Sequence, residues 1–581
     1  MSYNIRRALT HKERLNLNSL PDLTAHLLFH RGFDSEKSAQ GFISPDYDRD
    51  IHDPFLLKDA EKSADRIIQS IKNNERIAIY ADYDADGIPG AAMFSDFFKR
   101  IGFANYSVYI PHRHDEGFGV NEEAVIQLVG EGVKLLITLD CGITDVGPIA
   151  HAKKMGMDVI VTDHHEPPPE LPPAFAIIDH KQVDCKYPDK NLCGSGVAYK
   201  LVQAILKKDR FGLKEGMEKW LLDLVGIATM SDMVPLVGEN RVFAHYGLAV
   251  LRKSPRKGLV QLLRKLKINQ KFLTEDDIAF MITPRINAAS RMGVPRDAFD
   301  LLAADNDNDA YTSAEHLNKI NDERKGVVAS LVKEVKRKVH DRYGSSMPSV
   351  LVLGNPDWRP SLLGLAANSC AEEFDRPVFL WGRDGDNIIK GSCRSEGESN
   401  VVELMRALPV GGLIQFGGHH HSGGFAVSNE KIHFLEESLN KACESIQSLL
   451  STNNTEGKPT SDKVEDFIDS ELTIDAISGR LHEEINKLAP FGTGNPKPIF
   501  LFKQIIPKTF RKFGKTNNHV ELIFNKSNGD KVSAISFFGE SSKWAKEIRA
   551  GKPIDLIASL EKSMYRGRAE LRLRIEDVVY S

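Results

Sequence analysis

The sequence predicts a multidomain α/β protein, and three observations carry that prediction. Between residues 75 and 165 short apolar runs alternate with helical stretches: RIAIYAD, GAAMFSDFFKRIG, KLLITLDCGIT, VGPIAHAKKMG and DVIVTDHH. Strand–helix alternation of this kind builds right-handed βαβ units and a parallel sheet covered on both faces. A charged segment with an apolar stripe and no proline, 313–342, reads as one long helix bridging two domains. Beyond residue 462, VELIF, KVSAISFFG, PIDLIASLEKS and AELRLRIEDVVY are short alternating strands, the pattern of a small OB-type β-barrel.

The elements follow in chain order. Residues 1–45, with pieces such as LPDLTAHLLFHRG, read as a small helical segment whose function the sequence does not state. The parallel-sheet domain takes 46–310 and the connecting helix 311–345. A smaller α/β domain over 346–450 contains SVLVLGN, RPVFLWGR and the glycine-rich GGLIQFGGHHHSGGFAV. STNNTEGKPTSD (451–462) is the linker, and 463–581 the barrel. The length of 581 residues accommodates about three to five domains at roughly 100–200 residues each.

Composition narrows the function classes. An apolar fraction of 41% and a charged fraction of 27% exclude disorder as the main state. The net charge is −4, yet residues 491–581 carry 17 Lys+Arg against 9 Asp+Glu, a local +8 that leaves −12 for the remainder. A basic end on an acidic body suggests a polyanion-binding module. The six cysteines form no C-x-x-C pair, so neither a disulfide framework nor a zinc knuckle is expected, and a reducing cytoplasm fits. The N-terminus lacks the apolar core of a signal peptide, and no stretch approaches the ~18 apolar residues that span a bilayer.

The chemistry is concentrated at strand ends. Asp82, Asp84 and Asp86 in DYDADG directly follow RIAIY and can converge on hard cations. An EF-hand opens with the same pattern, but it follows a helix and needs Glu at its twelfth position, which here is Met93. KLLITL delivers Asp140, and DVIVT delivers Asp163, His164 and His165, to the same sheet edge, where open α/β sheets bind ligands. Taken singly, each could be a helix cap or a satisfied core polar group. LVGIATMSD adds Asp232. Asp82, Asp84, Asp86, Asp140 and Asp232 with the two histidines suffice for two divalent ions, and this O/N set suits Mn²⁺ or Mg²⁺ rather than structural zinc. Metal-assisted phosphoester hydrolysis is the leading chemistry.

DYDADG, LDCG, TDHH and ATMSDMVPL, in that order, resemble the signature motifs of the DHH phosphoesterase superfamily. With PRINAASRMG (284–293) and GGHHHSGGF (417–425), the chain from about residue 50 onward is similar to RecJ-type exonucleases, which degrade single-stranded DNA 5′→3′. The resemblance implies a DHH domain with two metal ions, a connecting helix, a DHHA1 domain that binds substrate and an OB domain that binds single strands. Asp84, Asp86, Asp140, His164 and Asp232 match metal-ligand positions, with Asp140 bridging. Asp82 falls near the place of a ligand histidine in related phosphatases, and Tyr80 has that histidine's spacing. His165 would contact the scissile phosphate. Arg285, Asn287 and Arg291, Ser392 and Arg394 in GSCRS, and Gly418 and His419 match substrate-binding positions that gather a 5′-phosphate. The resemblance also implies release of 5′-mononucleotides in repair and recombination. It implies a cytoplasmic monomer without membrane contact, and a helicase and a single-strand-binding protein as partners.

In the barrel, Lys508, Arg511, Lys512 and Lys515 interleave with Phe510 and Phe513, and Tyr565, Arg566 and Arg568 precede a strand, a pattern that tracks phosphates and stacks bases. The chain departs from the family at Pro89, Ser290, Arg359 and Asn368-Ser369, none of them a matched metal ligand. Two alternatives stand beside the exonuclease reading. A DHH/DHHA1 oligonucleotide or cyclic-dinucleotide phosphodiesterase would not need the basic end. A non-catalytic single-strand-binding DHH scaffold would not keep every matched ligand.

Overall fold

The computed structural model describes residues 4–344, 346–383, 388–397, 399–453, 467–514, 517–563 and 569–580. Most of the expected linker, together with Lys515, Tyr565, Arg566 and Arg568, lies outside the described residues.

The first domain is built on five parallel strands in the order Tyr106–Tyr109, Ile77–Ala81, Leu135–Leu139, Asp158–Thr162, Ala176–Ile178. Strand residues alternate between the two faces of a sheet. Ile77, Ile79, Leu135, Ile137, Leu139 and Ile160 therefore join one core, with helices Gly87–Arg100 and Gly194–Lys208. Ala78, Tyr80, Leu136, Val159 and Val161 join another, under helices Glu122–Gly130 and Val146–Lys154. Burial on both faces is why the central strands read as unbroken apolar runs.

The long helix spans Asp307–Tyr343, 37 residues and about 55 Å at 1.5 Å per residue. Asn306 caps it by accepting from Asp309 N–H. Its first half buries Ala314 and Leu317 in the first domain's core, and its second half buries Leu331, Val335 and Val339 against Leu362 and Leu363 of helix Pro360–Phe374. One helix thus belongs to two cores. The second domain is a five-stranded sheet in the order Gln415–His419, Ser422–Val427, Ile389–Arg394, Val378–Arg383, Leu351–Gly354, with only the last pair parallel.

The C-terminal domain is one seven-stranded sheet around a core that includes Phe500, Phe502, Leu522, Phe524, Leu556 and Leu573. The N-terminal segment is helical as expected, with helices Asp22–Phe29 and Glu36–Ile43, but it docks on this distant domain. Asn4–Ile5 pairs in parallel with Phe467–Ile468, Leu488 enters the segment's small core, and Arg31 ion-pairs with Asp469. Nothing in the local periodicity of 1–45 encodes a partner more than 400 residues away.

Other expectations resolve on physical grounds. Pro89 sits in the first turn of helix Gly87–Arg100, where a missing N–H leaves few helical hydrogen bonds unmade. Arg359 and Asn368 are exposed, the latter donating to Glu372. All six cysteines are buried and unpaired. No helix among the described residues is long and apolar enough to cross a membrane.

In the first domain's core, Lys200 and Glu239, both fully buried, form an ion pair at 2.7 Å, supported by His52 O and the Tyr187 hydroxyl. Removing one partner strands a buried charge. Glu239→Ala is therefore expected to destabilise the protein by about 3–5 kcal/mol in urea unfolding, and a loss below 1 kcal/mol would contradict this account.

Candidate active site and nucleic-acid interface

The site forms where the parallel strands end. Asp82 follows Ile77–Ala81, and the loop it opens folds back so tightly that a Cβ on Gly87 would lie 2.4 Å from Asp82 O. Asp84 Oδ1 accepts from Asp86 and Gly87 N–H, which fixes the turn. Asp86 is pinned differently: its two oxygens accept from Gly194 N–H at 2.6 Å and Ser195 N–H at 2.7 Å, at the start of helix Gly194–Lys208. The positive end of that helix stabilises the carboxylate. Asp140 leaves strand Leu135–Leu139 in the left-handed region, φ 61°, a conformation Asp tolerates better than most residues. A Cβ on Gly194 would stand 2.6 Å from the Asp140 Cβ, so only glycine fits there. Asp232 caps helix Leu222–Ser231.

These side chains meet as three ligand sets whose donor atoms lie within 4.8 Å of one another: Asp82, Asp84 and Asp140; Asp86, His164 and Asp232; and Asp140, His164 and His165. His164 Nε2 is 3.1 Å from Asp140 Oδ1 and 3.8 Å from Asp86 Oδ2, and its Nδ1 is 3.8 Å from Asp232 Oδ2. Burial, reinforced by the neighbouring carboxylates, pushes the pKa of Asp82 and Asp140 well up and that of Asp232 to about 8. Burial also lowers His164, against the pull of Asp86. Asp82 Oδ1 and Asp140 Oδ1 are buried without a hydrogen-bond partner. Orphaned hard oxygens among crowded carboxylates beside an imidazole fit divalent cations such as Mn²⁺ or Mg²⁺, which would supply the missing counter-charge. Asp140 and His164 each belong to two of the three sets, the arrangement expected for neighbouring ions.

His165 is held by a residue to which the sequence motifs assign no role. Asp163, fully buried, accepts Nδ1–H of His165 at 2.7 Å and also accepts from Ile143, His164 and His165 N–H. Burial works against protonation of His165, but the Asp163 bond and the charges of Asp82 and Asp232 outweigh it and raise its pKa to about 9. Burial likewise opposes ionisation of Asp163, yet these donors hold its pKa below the usual value.

The cavity of about 240 Å³ over this cluster is walled by Tyr83, Arg113, Phe118, Asn287 and Arg291. Arg113 lies over the Tyr83 ring, and the Phe118 ring meets His165 edge-on at 5.4 Å. Burial and the nearby Arg113, Arg324 and Arg394 lower Arg291 to about 10, so four guanidiniums share one neighbourhood. Arg291 also joins the first two domains, donating to Ser361 O while Ser361 Oγ donates to Arg291 O. Arg113 and Phe118 were legible in principle, because their loop follows the C-terminal end of strand Tyr106–Tyr109.

Not every expected residue reaches the cavity. Arg285 is spent on Met281 O and the Asn318 side chain and does not line it. Asn287 does line it, but its Oδ1 accepts Ala85 N–H and so braces the DYDADG loop. Tyr80 is buried away from the cluster, donating to Gly119 O. Ser392 lies on strand Ile389–Arg394, and Gly418 and His419 lie on the exposed edge strand Gln415–His419; none lines the cavity. Ser290 is buried and donates to Asn287 O.

On the C-terminal domain, Phe510 packs against the core, Arg511 pairs with Glu521 and Lys512 with Glu540. The aromatic surface lies nearby, where Phe513 of the expected set joins His519, Phe537 and Phe538, which the sequence pattern does not single out. Phe513, His519, Phe537 and Phe538 are in ring contact, with Arg574 4.4 Å over the Phe537 ring. Phe538 is exposed and the other three rings are half-buried, and rings beside guanidiniums are the usual platform for stacked bases.

Family models match three parts of the chain: the N-terminal domain of the DHH family over 76–229, the DHHA1 domain over 347–452 and the RecJ OB domain over 468–577. The single-stranded-DNA-specific exonuclease RecJ of Bacillus subtilis is 33% identical over 571 residues, 96% of this chain and 68% of its own length. The Escherichia coli protein of the same name is 28% identical over 96% of both chains. Among solved structures, RecJ from Thermus thermophilus in complex with Mn²⁺ superposes with a TM-score of 0.79 over 100% of this chain and 79% of its own, at 24% identity. An exonuclease RecJ bound to manganese gives 0.57 at 30% identity, over 67% of this chain and 95% of its own. Similarity of this extent, on the full set of DHH, DHHA1 and OB domains, makes the chain a member of the RecJ family.

Proposed function

We propose that the protein is a metal-dependent exonuclease that hydrolyses single-stranded DNA from its 5′ end and releases 5′-mononucleotides, acting in the cytoplasm in DNA repair and recombination. The observation that carries this reading is the run of overlapping ligand sets, sharing Asp140 and His164, directly beneath an arginine wall. Asp82, Asp84, Asp86, Asp140, His164 and Asp232 would hold two divalent cations. When bound, these supply an activated water and positive charge for an in-line phosphoryl displacement.

The chain's own groups do the rest. Charged His165, with Nδ1–H fixed on Asp163, has Nε2–H left to donate to a non-bridging phosphate oxygen. Arg113 and Arg291 bind the terminal phosphate, and an anion among these guanidiniums relieves their mutual repulsion. The Phe118 ring shields His165 and offers an apolar face to the end nucleotide. Ser392, Arg394, Gly418 and His419 of the second domain would hold the adjoining nucleotides. Phe513, Phe537, Phe538 and Arg574 would bind the strand farther along. A monomer working beside a helicase and a single-strand-binding protein fits such a substrate.

A long single strand with a free or blocked 5′ end, incubated with Mn²⁺, tests this reading. The free-ended strand should shorten from its 5′ end to mononucleotides, and Asp140→Ala should lower kcat/KM by at least about 10³-fold, since the ions are worth several kcal/mol of transition-state stabilisation. Intact long strands with rapid hydrolysis of dinucleotides would instead identify a dinucleotide phosphodiesterase. Strand binding without cleavage would identify a scaffold.

Asp163→Asn removes the charge that orients His165, and kcat should fall about 10–100-fold, the usual cost of losing such an orienting partner. The wild-type imidazolium persists to about pH 9, so the defect should deepen between pH 7 and 9 as the variant's His165 loses its proton. A pH-independent ratio of the two rates would refute this role.

Chelation should expose the carboxylate repulsion. A carboxyl raised to about 8 in the folded state, like Asp232, favours folding while protonated and loses that contribution as pH climbs from about 4 toward 8. The melting temperature of EDTA-treated protein is expected to fall over that range, and the Mn²⁺-induced rise to grow; both trends should shrink in Asp232→Asn.

A further inference from the structure

Asp232 is held unlike Asp84 and Asp86. Asp86 has both oxygens fixed by backbone N–H groups and Asp84 is fixed within its own turn, whereas the Asp232 carboxylate accepts no hydrogen bond among the described residues. Its aim therefore depends on its backbone. That backbone caps a helix through Asp232 N–H to Ala228 O, reverses at Met233 with φ 59°, and continues into Pro235 and Leu236.

Pro235 and Leu236 are clasped by a turn from the far end of the chain. Leu236 N–H donates to Thr493 O at 2.7 Å. Gly494, φ 74°, passes so close that a Cβ would lie 3.1 Å from the Pro235 Cβ, and one on Gly492 would lie 2.8 Å from Leu236 Cδ1. Asn495, fully buried, builds the turn: its Nδ2 donates to Leu488 O and Pro490 O, its Oδ1 accepts from Arg31 Nε, and its backbone bridges Gly492 in both directions. The first domain grips the turn again where Arg241 donates to Ala489 O, Glu275 accepts from Phe491 N–H, and Asp276 pairs with Lys497.

We propose that the turn 488–497 is the positioning element for Asp232, so that the C-terminal domain sets the cation affinity of the Asp86–His164–Asp232 set. This rests on the reading of that set as a metal site. Asn495, Gly494 and Gly492 are positioning residues that reach the ion only through the Met233–Leu236 backbone. The domain that grips the strand and the carboxylate that grips the ion are then joined by one hydrogen-bonded turn.

Mn²⁺ titration of the full-length protein, followed by the electron paramagnetic resonance of free Mn²⁺, tests the proposal. Gly494→Ala and Asn495→Ala are expected to weaken one of two Mn²⁺ sites about 10–100-fold while leaving the other unchanged, with kcat recovering at saturating Mn²⁺. Gly494→Ala preserves the side-chain hydrogen bonds of the turn, so it tests the contact even where Asn495→Ala fails to fold. Asp232→Asn should weaken the same site, and Gly494→Ala should add nothing on that background, because positioning has only Asp232 to act through. A general loosening of the fold would add instead. Isotherms of both variants that superimpose on wild type, or additive losses in the double variant, would overturn the proposal while the metal-site reading stands. Wild type that binds no Mn²⁺ would overturn both.

Discussion

Mutual repulsion among five carboxylates governs this molecule. Asp82, Asp84, Asp86, Asp140 and Asp232 are drawn into one small cluster, and burial raises the cost of charge on Asp82, Asp86, Asp140 and Asp232 further. No solvated surface would hold them in this way. The parallel sheet anchors Asp82 and Asp140 because its strand ends are fixed by the ladder on either side and by two cores, at points that side-chain repulsion cannot move, while helix ends place Asp86 and Asp232. Even then the backbone must yield locally: Asp140 adopts a left-handed conformation, and Gly87 and Gly194 remove the side chains that would otherwise stand against Asp82 and Asp140.

The same constraint separates the roles of two adjacent histidines. His164 lies among carboxylates, is deeply buried and resists protonation, as a cation ligand must. His165, one residue on, turns to Asp163 and keeps its proton well above neutrality. Adjacent imidazoles point to opposite uses because Asp163 accepts from one ring and only from the backbone of the other.

Much of this was legible in the sequence, and the boundary of legibility has a physical form. Apolar runs ending in acidic residues located the sheet and its ligand edge, since strand periodicity and strand-end chemistry are local. The ordered motifs named, residue by residue, side chains that the structure gathers into overlapping candidate ligand sets. What the sequence hid was whatever depends on contact between distant segments. Examples are the docking of residues 4–43 on the C-terminal domain, the use of Arg285 as a brace on the long helix through Asn318, and the turn at 488–497 beside Asp232. Phe537 and Phe538 are hidden for a related reason: in SAISFFG a half-buried ring and an exposed ring read alike, and both lie beyond strand Lys531–Ser536, where alternation no longer assigns faces.

The arginine wall stands at the seam between the first two domains, and that location follows from electrostatics. Arg291 is anchored to Ser361 across the seam, Arg324 comes from the bridging helix and Arg394 from the second domain's sheet. Their shared repulsion opposes close approach of the domains, while the long helix, committed to two separate cores, holds them together. An anion bound in the cavity, beside Arg113 and Arg291, would offset part of that repulsion. Crowded carboxylates therefore face crowded guanidiniums, and a cation-bound phosphate lying between them would satisfy both. The two unbalanced halves are each costly alone and complementary once a metal-bound phosphate joins them.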